Sequence, residues 1–359
     1  MKVGILLSPF GGKEPTGLNR MIFGFTKAIV ESNRENECII YLKKKPDVMP
    51  VFSGNNWKIK VVGFGCLWKE IGLFFAPKSD VYIFNTPIIP FLFRPKKSVV
   101  IVADFAYKYF KEEGFKKRLK RILLHSLASY SLKRSDKIVS ISDFTKKEVI
   151  KFFNISDSKI EVIYPGFKSI RSVKPFVSNI KKPYFLAVGG TKERKNTFGL
   201  AKAFCLFKEK YGFNHKLVIA GTTGGDYFNK ILNLIKQSNL EKDVIFFNFA
   251  NDEKLSYLYN NAEALVFPSL LEGFGFPVLE AMDSGLPVIT SNDSSLPEAA
   301  KGAALLIDPR NSVEISEAMY KIASDKVLKN ELIKKGLERC KEISWQKTGE
   351  EFSKLLNSL

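Results

Sequence analysis

A chain of 359 residues that is 45% hydrophobic and 26% charged holds enough apolar material for two ordinary domains or one large one, which excludes intrinsic disorder and a collagenous or low-complexity fibre. No uninterrupted apolar run approaches the ~18 residues of a membrane-spanning helix, since the longest stretches, near Ile83–Phe93 and Val99–Phe105, are broken by Pro, Asn or Asp, and a soluble chain is expected. The net charge of +19 is lopsided: residues 1–180 hold 32 Lys and Arg against 15 Asp and Glu, residues 181–359 hold 24 against 22, and a basic N-terminal half suits nucleic acid, anionic lipid or a polyanionic substrate without choosing among them.

The opening MKVGILLSPFGG has a short apolar run before a Gly-Gly turn and no small-residue cleavage site. It reads as a strand over Lys2–Leu7 and not as a secretion signal, which predicts a cytoplasmic location. Gly11, Gly12 and Gly17 then allow backbone to approach a phosphate, and a helix begins there over Leu18–Glu31. Strands follow at Val81–Phe84, Val99–Val102, Lys137–Ile141 and Lys159–Ile163. Among them, Phe105–Arg134 mixes helical periodicity with the basic cluster FKKRLKR at Phe115–Arg121. Phe167–Pro183 is rich in Lys, Ser and Pro without periodicity and reads as a linker. Strands resume at Tyr184–Val188, Lys216–Ala220, Val244–Asn248, Ala264–Phe267 and Pro287–Thr290, and Ile343–Leu359 has the pattern of a last helix. This βα alternation predicts an α/β chain of two doubly wound parallel-sheet domains, residues 1–170 and 171–342, facing a central cleft, with 343–359 packing back on the first. Cys38, Cys66, Cys205 and Cys340 are far apart, with only His125 and His215 to help them, so reduced thiols and no metal centre are expected.

The most specific stretch is PSLLEGFGFPVLEAMDSGLPVITSNDSSLPEAA, Pro268–Ala300. A strand ending at Phe267 leads to a loop with Glu272, Gly273, Phe274, Gly275 and Phe276. Pro277 is placed to open a helix and Gly285 to end it, with Glu280 in its first turn. Two acids with seven residues between them thus flank a loop whose amides lie at a helix N-terminus. Carboxylates accept paired hydrogen bonds from vicinal hydroxyls, and loop amides bind hydroxyl or phosphate oxygens. A second loop, AVGGTKERKN at Ala187–Asn196, leaves a strand and opens a helix with Asn196 as N-cap. Arg194 and Lys195 stand there, where two cations neutralise a diphosphate.

These motifs resemble the retaining glycosyltransferases of family 4, whose signature is two glutamates with seven residues between them and whose fold is GT-B, two Rossmann-like domains about a cleft. The spelling EGFGFPVLEAM with SSLPEAA downstream is similar to the mannosyltransferase-type members that assemble bacterial surface polysaccharides. The resemblance implies that Glu280 holds the nucleotide ribose, that Glu272 lies beside the donor sugar, and that Gly273–Phe276 contacts the sugar through its backbone. It also implies that Arg194 and Lys195 grip the phosphates. Phe249–Asp252 and Leu255, in a stretch similar to the family's nucleobase loop, line the base, and Gly12 and Gly17 lie near the phosphates. SVVIVADFAY at Ser98–Tyr107 stands where the family has a His-Asp pair, but here Ala103 precedes Asp104. Asp104 is either a sugar or acceptor contact or a cap for the segment that follows.

No two aspartates stand two apart, so the Asp-x-Asp metal site of other glycosyltransferases is missing and no metal is expected. The resemblance implies retention of the anomeric configuration, with the leaving phosphate taking the acceptor proton. The donor of first choice is GDP-mannose, with UDP-glucose or UDP-N-acetylhexosamine behind it. A glycan or lipid-linked acceptor is implied, and the basic N-terminal half, through Lys111–Arg134, would meet an anionic membrane surface on its cytoplasmic face. A non-catalytic nucleotide-sugar-binding partner is one competing reading. A basic nucleic-acid-binding protein is another, set back by the lack of a reader module, so nucleic acid is not an expected partner.

Overall fold

The computed structural model describes residues 1–10, 17–110, 114–171, 180–248 and 250–359, and of Cys66 only the backbone. The chain divides into two compact units, Met1–Gly166 with Ile343–Leu359, and Phe167–Glu342.

The first unit runs β1 (Lys2–Leu6), α1 (Gly17–Ser32), β2 (Glu37–Leu42), β3 (Trp57–Val61), a single turn α2 (Leu73–Phe75), β4 (Val81–Phe84), β5 (Lys97–Val102), a short α3 (Ala106–Tyr109), α4 (Phe115–Arg134), β6 (Lys137–Ser140), α5 (Asp143–Phe153) and β7 (Ile160–Val162). All pairings are parallel, in the order β3-β2-β1-β4-β5-β6-β7. Helices cover both faces of such a sheet, so its central strands are apolar throughout: every residue of VYIF in β4 is buried. The sequence reading has no β2 or β3. Both are real strands, with Cys38 opposite Trp57 and Leu42 opposite Val61. β3 escapes notice because it is an edge strand, WKIKV, whose two lysines are exposed and guard an open edge.

The second unit runs β8 (Tyr184–Val188), α6 (Thr197–Tyr211), β9 (Lys216–Ala220), α7 (Gly225–Gln237), β10 (Val244–Phe247), α8 (Asp252–Asn261), β11 (Ala264–Phe267), α9 (Phe276–Asp283), β12 (Val288–Ser291), a short α10 (Leu296–Ala300), β13 (Leu305–Ile307), α11 (Ser312–Ser324) and α12 (Lys326–Lys341). Its parallel sheet has the order β10-β9-β8-β11-β12-β13. The three-residue β13 is too short for a periodicity signal and is also absent from the sequence reading. One core cluster lies under α6 and α11, with Phe204, Phe207, Ile219 and Met319, and a second under α8 and α9, with Leu258, Phe267, Val278 and Met282. In each unit the strand order reverses once, between β1 and β4 and between β8 and β11. Ligands of open parallel sheets bind beyond the carboxyl ends of the strands at such a point.

The last helix, α13 (Trp345–Asn357), belongs to the first unit and packs on α1. Phe25 of α1 meets Trp345 and Phe352 edge-on, with ring centroids 5.6 and 5.8 Å away. A Cβ on Gly24 would fall 2.1 Å from the Trp345 ring, and one on Gly349 2.6 Å from the carbonyl oxygen of Ala28, so the helices approach this closely only because both residues are glycine. Thr348 accepts from the Gly166 amide at 3.0 Å and lies 2.7 Å from the Tyr164 carbonyl oxygen, to which its hydroxyl donates. Cys38 and Cys340 are buried free thiols and Cys205 is a half-buried one. Among the described residues no helix is long and apolar enough to cross a membrane.

Candidate active site

In the second unit, β8 ends in Gly189 and Gly190, at φ of 113° and 75°. Their amides donate to the Ala220 carbonyl at 2.9 and 3.0 Å. A Cβ on Gly190 would sit 2.3 Å from the Thr222 carbonyl oxygen, and one on Gly221 2.5 Å from the Gly190 nitrogen. The ends of β8 and β9 therefore close on each other only as glycines. The chain then makes one tight turn, Glu193–Lys195, before α6. Asn196 is left-handed at φ 53° and donates from its side chain to the Pro309 carbonyl at 2.5 Å. It makes no capping bond to α6, contrary to expectation. The amide of Phe198 in the first turn instead finds its acceptor in the Tyr227 hydroxyl, 3.0 Å away.

That turn aims Lys195 at the loop after β11. Its ammonium donates to Glu272 Oε1 at 2.6 Å and lies 4.6 Å from the centroid of the Phe267 ring. The two side chains are only 12% and 9% exposed. Four further bonds hold the loops together. The Leu270 amide donates to the Arg194 carbonyl at 2.8 Å; the Ser269 hydroxyl stands 2.6 Å from Glu272 Oε1 and 2.9 Å from that same carbonyl. Ser291, at the end of β12, donates to the Ser269 carbonyl at 2.7 Å. The Glu272 backbone is clamped by two serines before α10, its amide donating to Ser294 at 3.2 Å and its carbonyl accepting from Ser295 at 2.9 Å.

The electrostatics are those of a buried ion pair. Burial alone would raise the Glu272 carboxyl, but the Lys195 ammonium, the Arg194 guanidinium and the Ser269 hydroxyl outweigh it and hold the group below its ordinary range, as a carboxylate. Such a pair, set at the carboxyl ends of β8 and β11, presents a desolvated cation and a hydrogen-bond acceptor side by side.

The other expected residues are placed as follows. α9 begins at Phe276 behind Gly275, whose φ is 115°, with Pro277 in its first turn. Glu280 is therefore its fifth residue and lies in the second turn, one turn later than expected, because the first is used up by Phe276–Leu279. Its carboxylate accepts from the Tyr259 hydroxyl at 3.0 Å. Gly273 and Gly275 are buried, and Phe274, 2% exposed, packs against Phe276 with centroids 5.7 Å apart. Asp252 opens α8 and pairs with Lys168 at 2.7 Å. Leu255 is buried in the core under α8 and α9. Phe249 and Gly12 lie outside the described residues. Gly17 and Asp104 are in the first unit: Gly17 is exposed with open space around it, and Asp104 accepts from the Ala106 amide at 3.0 Å. The structure thus gathers Arg194, Lys195, Glu272 and the Gly273–Phe276 loop. Ser269, Ser294, Ser295 and Tyr259 escape sequence reading because serine and tyrosine are common and only the fold says what they touch. Among the described residues no group of three His, Cys, Asp or Glu side chains is placed to hold a metal ion.

Comparison with known proteins agrees with this architecture. Residues 170–339 match the family described as glycosyl transferases group 1, and residues 42–169 match glycosyltransferase family 4. The chain is 30% identical over 274 residues to O-antigen chain mannosyltransferase B of Escherichia coli, covering 74% of this chain and 71% of that one. It is also 30% identical over 302 residues to the serotype-specific mannosyltransferase WbdA of the same species, covering 79% of this chain but only 36% of the longer relative. Among solved structures, Anabaena HepE in complex with UDP-glucose superposes with a TM-score of 0.76 at 16% identity, with all of both chains covered, and at that identity the likeness shows the GT-B fold alone. With both units matched and more than two thirds of a mannosyltransferase aligned at 30% identity, the chain belongs to the GT-B glycosyltransferases of family 4 and is similar to their mannosyltransferase-type members.

Proposed function

We propose that this glycosyltransferase transfers a hexose, with retention of configuration and without a metal ion, from a nucleotide sugar to a glycan or lipid-linked acceptor in surface polysaccharide assembly. The observation that carries this reading is the buried Lys195–Glu272 pair at the mouth of β8 and β11. A donor diphosphate competes for the Lys195 ammonium, with Arg194 beside it, and spreads its charge over both as the sugar–phosphate bond breaks. The Glu272 carboxylate, relieved of its partner, accepts hydrogen bonds from sugar hydroxyls. Glu280, held by Tyr259, accepts from the ribose. The acceptor oxygen attacks the anomeric carbon on the face the phosphate leaves, its proton passes to the departing phosphate oxygen, and the nucleoside diphosphate is the second product.

Mannose from GDP-mannose is the donor of first choice, supported by the names of the two Escherichia coli relatives. A UDP-glucose donor is the second reading, because HepE carries that nucleotide sugar in its structure. The excess of Lys and Arg in residues 1–180 supports an anionic membrane surface at the cytoplasmic face as the place of work. A thermal-shift panel of GDP- and UDP-sugars, followed by transfer from the stabilising donor in the presence of a chelator, tests the proposal. The expected result is stabilisation by one nucleotide sugar that Lys195→Ala abolishes, and transfer that survives chelation. No stabilisation by any donor at millimolar concentration refutes the assignment, and loss of transfer on chelation refutes metal independence.

A further inference from the structure

Lys69 in the first unit is a desolvated cation without a counter-charge. It sits in a single π-helical turn, Trp68–Gly72, just before α2, and such turns are frequent at functional sites. Trp68 is buried in the core of the unit, and a Cβ on Gly72 would fall 2.2 Å from Cγ1 of Val62, so the turn is pinned at both ends. The Lys69 ammonium donates to the Thr86 hydroxyl at 3.2 Å and lies 3.5 Å from the Ile88 carbonyl oxygen. Both acceptors are neutral, and both distances are long beside the ~2.7–2.9 Å of an ammonium–anion contact. Among the described residues no carboxylate pairs with it. Glu70, next in the chain, spends its two oxygens on the amides of Phe91 and Leu92 at 2.9 and 2.8 Å. Burial, only partly offset by Glu70, pushes the ammonium down to about 8. Such a lysine costs stability as it stands, as groups kept for a ligand commonly do.

The ammonium stands where the sheet of this unit reverses its order. Thr86 is two residues beyond the end of β4, and Asn85 before it reaches across to the end of β1, its side-chain amide donating to the Leu6 carbonyl at 2.9 Å. Asn85 is 5% exposed, and its side-chain oxygen, also buried, meets no donor among the described residues. An ammonium, a hydroxyl able to donate and an unsatisfied acceptor thus share one strand end, at the point where open parallel sheets bind ligands. The first two suit an anion and the third a hydroxyl. Phosphate fits them better than carboxylate, because lysine acts as a point charge and a tetrahedral oxyanion has oxygens to spare for the ammonium and the hydroxyl together. In the proposed transfer the donor diphosphate meets Arg194 and Lys195 in the second unit, so a phosphate site in the first belongs to the other substrate. We infer that Lys69, Thr86 and Asn85 bind the acceptor through a phosphate group and a neighbouring hydroxyl, and that the acceptor is therefore a phosphate-bearing sugar or glycan. This rests on the reading that the chain glycosylates an acceptor and adds the acceptor's chemical class.

The test is titration calorimetry on the full chain saturated with the nucleoside diphosphate of its stabilising donor, which occupies the cations of the second unit. The probes are methyl mannoside, mannose 1-phosphate and octyl mannosyl phosphate. Both phosphates are expected to bind and the neutral glycoside to bind at least roughly tenfold more weakly. Lys69→Met is expected to weaken the phosphates by roughly ten- to a hundredfold, Thr86→Val to weaken them in the same direction, and neither to change the affinity for the nucleoside diphosphate. Lys44→Met, at an exposed position, controls for net charge and should bind like wild type. Tighter binding of the octyl probe supports a lipid-linked phosphate, and equal binding of the two supports a soluble one. Lys69→Met should melt no lower than wild type, because it removes an unpaired desolvated charge. If it melts lower and still binds the phosphates like wild type, the lysine is a structural strut and the inference is refuted. It is refuted too if the neutral glycoside binds as tightly as the phosphates, or if Lys69→Met loses the nucleoside diphosphate, which would make this the donor's site. If wild type binds no nucleoside diphosphate, the glycosyltransferase reading falls and the acceptor assignment with it.

Discussion

Lys195→Met removes one partner of the buried pair and leaves the other. The Glu272 carboxylate then keeps the Ser269 hydroxyl and the field of Arg194 but loses the ammonium 2.6 Å away, at a site where neither side chain is more than 12% exposed. Stranding one charge of a buried pair costs about 3–5 kcal/mol, roughly 10 °C in melting temperature for a unit this size. The pH dependence also changes sign. In wild type the carboxyl is held below its ordinary value, so it adds stability above that value and withdraws it as pH falls through the folded pKa. Without Lys195 the burial effect dominates and raises the carboxyl, so the variant regains stability relative to wild type as pH drops toward the carboxylate range. Calorimetry at neutral and mildly acid pH follows both, and Lys195→Met/Glu272→Gln is expected to recover much of the loss. A Lys195→Met protein that melts with wild type at neutral pH, with the same pH profile, refutes the claim that these groups form a desolvated pair.

Three further outcomes follow from the geometry. Ser269→Ala deletes a charge-assisted hydrogen bond to Glu272 and is expected to cost about 1.5–3 kcal/mol and to shift the acid limb of the pH–rate profile upward; an unmoved limb means that Ser269 does not tune the carboxylate. Gly24→Ala drives a methyl into the Trp345 ring and is expected to destabilise the first unit by about 1–3 kcal/mol, read by denaturant melts, with donor binding by the second unit retained. Glu148 is 3% exposed, and burial, only partly offset by the Tyr109 hydroxyl, pushes its carboxyl up to about 7. A raised carboxyl contributes stability at low pH that is lost as pH rises through the folded value, so wild type should lose stability between about pH 4.5 and 7 relative to Glu148→Gln. Parallel profiles for the two proteins would contradict that.

Residue spacing alone made much of the fold legible. Strands buried on both faces must be apolar throughout, so β4, β8 and β11 announce themselves, and Gly-Phe-Pro after a strand marks the start of α9 because glycine takes the left-handed turn and proline tolerates a first-turn position. β2, β3 and β13 stayed hidden; of these, β3 is an edge strand with lysines and β13 has three residues, and neither carries such a pattern. Within the site, the two glutamates and the Arg-Lys loop stand out by their neighbours. Glu280 was read a turn too early, because the helix start depends on the backbone of Gly275. Asn196 was read as a cap, but its side chain is spent on Pro309.

Local chemistry therefore determined the class of the chain, its alternation of strand and helix, and the identity of the residues able to bind phosphate and hydroxyl. Which of them meet was decided only in three dimensions. Lys195 and Glu272 are 77 positions apart and come together because β8 and β11 are neighbours at the point where the sheet reverses its order. Ser269 and Ser294 become supports for the same reason. α13 returns to the first unit because Gly24 and Gly349 leave room for it. Pairing over such distances depends on sheet order and close packing, and neither is written in the spacing of residues along one segment.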